Sequence, residues 1–358
     1  MAERKLKLGR VLRIAAALML LALMVYGAIQ LSRPLPPPPL PLPNPNGYDD
    51  FIKATKYIVG DPLKVNTEKT EELVAFVAQN REAIRLTRTG LSRRCYVPNG
   101  YYASPAVFSP QRLMDLKRLC WVLAAEGKLA EKEAHIDDFI RTYLETIRYG
   151  EEIGRGGLMI DKLVGVACEH VGILALHRNL SQLRPSQCRE IIHALEEIDQ
   201  RREPIETVWP REAAFERALI TNWKERLSLW KGKLTSLFGE NRTKKQRFLF
   251  TRHLKAYEAK TRLLFTEAAV RSYHLENATL PKNLGELVPQ YLKSLPQDPF
   301  CTKTMIYRIQ SQGFLLYSVG PDGVDDDGKP LKESTGIDIP TGDLFIDSPS
   351  FFAFFSFL

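Results

Sequence analysis

The densest group of side chains with chemical potential is an acid-rich stretch near the C-terminus. Asp322, Asp325, Asp326 and Asp327 lie within six residues of one another. Carboxylates this close repel unless water solvates them or a cation bridges them, and hard oxygen ligands suit Ca²⁺. The spacing is not that of an EF-hand, because Val324 stands where that motif needs an oxygen. Two interpretations stay open: a calcium-binding loop, or a polar turn whose acids face water.

The histidines and paired glutamates elsewhere in the chain do not have the spacing of a known metal-binding or catalytic motif. His170 and His177 share one face of a predicted helix beside Glu169, but no HExxH or CxxC pattern accompanies them, so we expect a structural histidine pair. Glu151 and Glu152 are adjacent on a helix and face different ways, so they are not expected to converge on one bond. GxSxG, GxxxxGK[ST] and GxGxxG are missing. No catalytic or cofactor-binding residue is predicted, and we do not expect an enzyme.

The strongest local signal is the uncharged run Ile14–Leu31, which follows a basic leader over 1–13. As a helix it is roughly 27 Å long, about the hydrocarbon thickness of a bilayer. The positive leader predicts a cytoplasmic N-terminus, with everything after Leu31 on the periplasmic side. A cleaved secretory signal is the alternative, although the run is long and Tyr26-Gly27-Ala28 is a poor cleavage site. We expect a single-pass anchor over 14–31 in contact with membrane lipid.

A proline-rich stalk is predicted over 32–47, because eight of the twelve residues in 34–45 are proline. Proline fixes φ and donates no backbone hydrogen bond, so the segment favours an extended polyproline II helix. A ligand for a proline-recognising domain is the less favoured interpretation. At the other end, the tail over 348–358 holds five phenylalanines and is too short to span a bilayer. It either docks on the helical domain or awaits a partner or membrane.

The stretch over 48–240 predicts an all-α domain of helical hairpins. Apolar residues recur at three- and four-residue steps, as in Leu113, Leu116 and Cys120. Turns are predicted at Gly127 and at 154–157, and a further helix is expected to begin near Pro185. The segment 121–134 resembles the turn of a tetratricopeptide hairpin, but no 34-residue period follows it.

The cysteines of this exported chain give no disulfide framework. They are Cys95, Cys120, Cys168, Cys188 and Cys301. An odd number permits at most two internal disulfides, and the sequence does not show which pairs form. Cys120 and Cys168 lie on apolar helical stripes, so we expect buried free thiols.

Charge and composition narrow the class of protein. The 358 residues are 44% hydrophobic and 26% charged, which excludes disordered, collagen-like and disulfide-scaffold proteins. The net charge of +8 is uneven: residues 1–33 carry +5, and residues 318–347 carry −6. Sixteen basic residues face seven acidic ones in 201–262, which indicates a solvated helical face or, alternatively, an anionic partner such as phospholipid. No nucleic-acid partner is predicted.

The C-terminal segment predicts a small α+β module over 250–347. A helix from about Thr251 to Asn277 precedes a short proline-bounded helix, a strand near 305–309 and a second near 314–319. Over 255–345 the chain resembles the C-terminal domain of the major pseudopilin of type II secretion systems. The residues that carry the resemblance are Leu280-Pro281, Leu284 to Val288, Tyr291-Leu292, Leu295-Pro296, Asp298-Pro299-Phe300, Tyr307, Gly313-Phe314, Leu316-Tyr317-Ser318, Gly320 and Asp322-Gly323.

This resemblance implies a calcium site. The implied ligands are the main-chain oxygen of Leu316 and the side chains of Ser318, Asp322, Asp325 and Asp327. The match is firm only to Asp322-Gly323, because the family continues with glycines and a glutamate where this chain reads VDDDGKPLKE. A pseudopilin also joins its apolar helix directly to its soluble domain, whereas about 220 residues intervene here, so filament assembly by the usual route is not expected.

Three functions stay open from the sequence. The favoured one is an exported, membrane-anchored bacterial protein that acts without catalysis, by contact with envelope or secretion proteins, through a calcium-stabilised module. The first alternative is a tetratricopeptide-like helical receptor or scaffold for a peptide. The second is an enzyme of unrecognised type, for which a deep cleft lined by converging acids or histidines would be the sign. No small-molecule substrate is predicted.

Overall fold

The computed structural model describes residues 41–98, 109–219, 240–332 and 339–349, together with Met19 and Met24. The chain divides into two compact units, Met1–Pro39 and Leu40–Leu358. Among the described residues, no helix combines the length and the apolar character that crossing a membrane requires.

Several predicted segments fall outside the described residues. They are the leader 1–13, the anchor 14–31 apart from Met19 and Met24, most of the stalk 32–47, and the tail 348–358 beyond its first two residues. The end of the predicted stalk is described. Asn46 is buried there, and its side-chain oxygen accepts a hydrogen bond from the Tyr48 N–H at 3.2 Å, which caps the first helix.

The described part of the chain is mainly helical with a small antiparallel sheet, as the sequence predicts. The α-helices are α1 (Gly47–Thr55), α2 (Thr70–Gln79), α3 (Arg81–Leu91), α4 (Pro110–Lys132), α5 (Ile136–Gly154), α6 (Met159–Asn179), α7 (Pro185–Arg201), α8 (Val208–Leu219) and α9 (Glu240–Asn277). Short 3₁₀ turns cover Leu180–Gln182, Ile205–Thr207 and Leu284–Leu287. The strands are β1 (Ile306–Gln310) and β2 (Gly313–Tyr317).

The predicted turn at Gly127 is wrong. Gly127 lies inside α4, which continues to Lys132, and the chain turns at Ala134, where φ is 56°. A Cβ at Gly127 would lie 2.7 Å from Cε2 of Tyr143 on α5. The glycine therefore permits close packing of two helices instead of ending one. The second predicted turn is confirmed, because α5 ends at Gly154 and α6 begins at Met159.

Two large hydrophobic cores lie within the second unit. One includes Tyr48, Leu73, Leu116 and Tyr149, and joins α1 to α6. The other includes Phe139 and Ile191 of the helical hairpins, Leu263 of α9, and Leu287 and Leu344 of the C-terminal module. The segments 48–240 and 250–347 therefore share a core and lie in one compact unit.

Helix α9 connects the two segments. It has 38 residues, which corresponds to roughly 57 Å, and it begins well before the predicted start at Thr251. Its inner face packs on α6 and α7. Its end at Asn277 agrees with the prediction, and the chain then turns through the 3₁₀ segment Leu284–Leu287 into the hairpin.

The β-hairpin has nearly the predicted strands, at 306–310 and 313–317 instead of 305–309 and 314–319. Strands β1 and β2 pair antiparallel, with Arg308 opposite Leu315 and Gln310 opposite Gly313. Gly313 adopts a φ of 95°, which favours glycine. Beyond β2, Ser318 pairs with Leu344, so the acid-rich loop is held between the hairpin and the returning chain.

Candidate functional site

A charged cavity of about 360 Å³ opens between α5, α6, α9 and the segment after α7. The residues that line it come from both predicted segments of the second unit. They are Gly150, Glu151, Lys162, Val166, Glu169, Asp199, Arg202, Glu203, Pro204, Ile205, Glu206, Leu254, Lys255, Glu258, Arg262 and Pro299. Six of these side chains are carboxylic acids and four are basic, so the wall carries an excess of negative charge.

Two glycines bring the acidic residues of the wall together. Helices α5 and α6 meet at Gly150 and Gly165, where an added Cβ at Gly165 would lie 2.4 Å from the carbonyl oxygen of Gly150. Real Cβ atoms do not approach that closely, so each position requires glycine. Glu151 and Glu169 lie next to this contact, one on each helix. The close approach therefore places their carboxylates within reach of one cation.

That cation is Arg202, which follows the end of α7. Its Nη2 donates to Glu169 at 2.8 Å, and its Nη1 donates to Glu169 at 3.2 Å and to Glu151 at 3.3 Å. Burial alone would lower the pKa of Arg202, but Glu169 and Glu151 raise it above its ordinary value, so the guanidinium stays charged. Arg202 thereby joins α5, α6 and the segment after α7 at one buried point.

A second group of ion pairs, centred on Glu203, lies beside Arg202. Glu203 accepts hydrogen bonds from Arg211 at 2.8 Å and from the Gly156 N–H at 2.9 Å, and Lys162 Nζ lies 3.0 Å away. Burial alone would raise the pKa of Glu203. Lys162, together with Arg211 and the Gly156 N–H, lowers it to about 2. Glu203 is therefore ionised throughout the physiological pH range.

Arg262 connects the helical hairpins to the C-terminal module at the far side of the cavity. On α9, it donates to Asp199 of α7 at 2.9 Å and to the carbonyl oxygen of Gln297 at 2.9 Å. It also pairs with Glu258 at 2.7 Å. Burial raises the pKa of Glu258, and Arg262 opposes that shift. Arg262 thus links α7, α9 and the segment that leads to the β-hairpin.

The cavity was missed at the sequence level. Glu151 and Glu152 were not expected to share one target, but Arg155 pairs with both of them, at 3.4 and 3.0 Å. Arg155 follows α5 and reaches back to both carboxylates, and Glu151 binds Arg202 in addition. What the sequence did not indicate is the convergence of Glu151 with Glu169. The one available signal was a charged residue inside an apolar helical stripe, since Glu169 stands beside Cys168 on a buried face.

The residues of the predicted calcium site have several different hydrogen-bond partners in the structure. Ser318 Oγ donates to Asp298 at 3.0 Å, and Leu316 lies within β2 opposite Tyr307. Asp322 accepts from the N–H groups of Val324 and Gly342, at 3.1 and 3.3 Å. The side-chain oxygens of Ser318 and Asp322 therefore each have a protein hydrogen-bond partner.

The other two predicted ligands share a protein cation. Arg308 of β1 donates to Asp325 Oδ2 and to Asp327 Oδ1, each at 2.9 Å. Among the described residues, no group of three or more histidine, cysteine, aspartate or glutamate side chains is placed to hold a metal ion. Calcium binding stays a prediction.

Two buried aspartates outside the predicted set organise the loop. Asp298 accepts hydrogen bonds from Ser318 Oγ and from the N–H of Val319 at 2.9 Å. Asp343 accepts from the N–H groups of Gly328 at 2.7 Å and Asp326 at 3.3 Å. Both are almost fully buried. Their role was not foreseen, because a backbone hydrogen bond leaves no pattern of residue types.

The histidines of α6 have separate partners, consistent with structural roles. His177 Nδ1 lies 2.8 Å from Glu267 of α9, and that hydrogen bond raises its pKa. His170 packs edge-on against Tyr257, with ring centroids 5.3 Å apart. Burial, with Lys260 nearby, lowers the pKa of His170 to about 3, so this ring is neutral.

All five cysteines are free thiols, and the expected burial of Cys120 and Cys168 is confirmed. Four are buried, and Cys301 is partly exposed. Burial raises the pKa of Cys168 well above its ordinary value, so this thiol stays protonated.

Comparison with known proteins identifies no relative: no protein family, curated protein or solved structure matches this chain. The resemblance to the pseudopilin C-terminal domain therefore stays a prediction based on the residues that carry it.

Proposed function

We propose that this protein is a membrane-anchored, exported bacterial protein that acts without catalysis, by contact with envelope or secretion proteins through its C-terminal module. The supporting observation is that one side chain joins the C-terminal module to the helical hairpins. Arg262 of α9 binds both Asp199 of the helical hairpins and the carbonyl oxygen of Gln297. The segment that leads into the β-hairpin is thus joined to the helical hairpins, while Ile309 in β1 is 52% exposed. Presentation of an exposed strand suits recognition by contact.

A photo-crosslinking residue in place of Ile309 tests this proposal in cells. The matched control replaces Val74 of α2, which is 42% exposed on the helical hairpins. We expect discrete crosslinked species from position 309 and none from position 74. Crosslinks from position 74 alone would instead support the helical receptor, and none from either position would contradict both contact functions.

The proposed location has its own test. Alkaline phosphatase fused after Leu358 is active only outside the cytoplasm, so we expect activity in a bacterial host and recovery of the fusion with membranes. Charge reversal of Arg4, Lys5 and Lys7 is expected to lower the activity, because positive charge retains the leader in the cytoplasm. An inactive fusion recovered from the soluble fraction would overturn the exported location.

A second candidate function is small-molecule binding or catalysis in the charged cavity. The observation in its favour is the convergence of six carboxylic acids on a space of about 360 Å³, which the sequence did not predict. The negative excess favours a small amine as ligand. A thermal-shift screen of amines and amino acids tests it, with Glu258→Gln as the cavity variant and Glu72→Gln on α2 as the control. Stabilisation that Glu258→Gln abolishes and Glu72→Gln retains would support this candidate.

A further inference from the structure

The guanidinium of Arg308 binds two carboxylates of the C-terminal module at once. Arg308 lies on β1, and its two terminal nitrogens donate to two different carboxylates of the acid-rich loop. Nη2 lies 2.9 Å from Asp325 Oδ2, and Nη1 lies 2.9 Å from Asp327 Oδ1. One planar cation therefore spans two aspartates, Asp325 and Asp327, that the resemblance implies as calcium ligands.

The remaining acceptor of Asp325 is also in use. Its Oδ1 accepts from the Tyr317 hydroxyl at 2.9 Å and from the Asp327 N–H at 3.0 Å. The Tyr317 side chain is buried, and Arg308 lies over its ring, 5.7 Å from the centroid. Arg308, Tyr317 and Asp325 thus form one connected group in which a cation–π contact supports the ion pair.

The hairpin register explains how the guanidinium reaches this position. Arg308 pairs with Leu315, and Ile306 pairs with Tyr317. Residues two apart on a strand share a face, so Arg308 and Tyr317 are diagonal neighbours on the same side of the hairpin. Asp327 completes the geometry with a φ of 61°, which turns the loop back toward β1.

We propose that Arg308 supplies the positive charge that the resemblance assigns to calcium, so that the acid-rich loop folds without a metal ion. Calcium needs six to eight oxygen ligands in a shell about 2.3–2.6 Å away, whereas a guanidinium needs only two oriented acceptors at hydrogen-bond distance. Asp325 and Asp327 supply the two oriented acceptors that a guanidinium needs. The inference concerns how the module is stabilised and does not depend on the proposed contact function.

The test is thermal unfolding of the full-length chain in detergent, with millimolar calcium chloride or with chelator. We expect the same melting temperature in both, and no heat on calorimetric titration with calcium. Arg308→Gln is expected to lower the melting temperature by about 2 °C, because two carboxylates lose their shared partner. The control is Arg85→Gln, since Arg85 also pairs at the surface, with Glu82, but orders no loop. It is expected to leave the melting temperature unchanged.

Two results would overturn the inference. One is a melting temperature of the natural chain that rises with calcium, or a calorimetric signal of calcium binding, either of which would support the predicted metal site. The other is an Arg308→Gln variant that melts like the natural chain and like Arg85→Gln. If Arg308→Gln does not fold, the calorimetric titration of the natural chain decides the question alone.

Discussion

Arg202 and Glu169 form a two-point ion pair inside the helical bundle, with nitrogen to oxygen distances of 2.8 and 3.2 Å. Glu169 is almost fully buried, and Arg202 has little exposed surface. Removal of one partner of a buried pair leaves an uncompensated charge, which is costly.

We therefore predict that Arg202→Met destabilises the chain by about 3 kcal/mol, measured by chemical denaturation. The neighbouring Arg201 pairs with Glu197 at the surface, where its side chain is 58% exposed, and Arg201→Met is predicted to cost less than about 1 kcal/mol. Equal losses from the two variants would show that the buried pair has no special role. Replacement of Arg202, Glu169 and Glu151 together by apolar residues is expected to recover much of the loss.

The close approach of α5 and α6 gives a second prediction. Gly165→Ala is expected to destabilise by about 2 kcal/mol, because its Cβ would meet the Gly150 carbonyl oxygen of the facing helix. Gly154→Ala is the matched control, since its Cβ would lie 3.2 Å from the flexible Lys162 side chain and 3.3 Å from the Lys162 Cα, contacts that a shift of a few tenths of an ångström relieves. Melting temperatures of the two variants compare them directly. A Gly165→Ala variant as stable as Gly154→Ala would contradict the packing argument.

A third prediction concerns Lys260, whose ammonium is buried on α9 and donates to the carbonyl oxygen of Ser348. Burial lowers its pKa to about 8 from the usual 10.5, with Asp347 opposing the shift. His170 and His253 lie near it, and burial lowers the pKa of each to about 3, so both are neutral.

Between pH 8 and 10.5 the unfolded chain then binds a proton at Lys260 that the folded chain has lost. Stability contributed by this group therefore rises with pH in that window. We predict that the free energy of unfolding of the natural chain increases relative to that of Lys260→Met as pH rises. Lys255→Met, on the same helix, is expected to keep the pH dependence of the natural chain. Parallel pH profiles for the natural chain and Lys260→Met would contradict the prediction.

The cysteines give a fourth prediction. Native full-length chain is expected to react quickly with a thiol reagent only at Cys301, because the other four cysteines are buried. Denaturation is expected to expose all five. Mass spectrometry of the labelled peptides identifies the reactive site, and Cys301→Ser supplies the control. Rapid labelling of Cys120 or Cys168 in the folded chain would show that the bundle opens.

Local patterns carried the prediction of the C-terminal hairpin. Two short runs of strand-forming residues are properties of a few adjacent positions, so β1 and β2 were predicted to within about two residues. The start of α7 at Pro185 followed from the same kind of signal.

The features that the sequence did not predict depend on contacts between residues that are far apart in the chain. Gly127 was predicted to be a turn residue, but its lack of a side chain instead allows Tyr143 to pack closely against α4. Arg202 meets Glu169 from 33 positions away, and Arg308 meets Asp325 from 17. Partners at such separations become visible only after the helices and the hairpin are assembled.

The continuity of α9 has a mechanical consequence. A force applied at the C-terminal module is expected to reach the bundle through this helix, because Leu263 of α9 and Leu287 of the module belong to the same core. Within the part of the chain that the structure describes, α9 runs unbroken from Glu240 to Asn277. Stretched from its two ends, the folded unit is expected to rupture as one body, so that tension on the module is felt throughout the bundle.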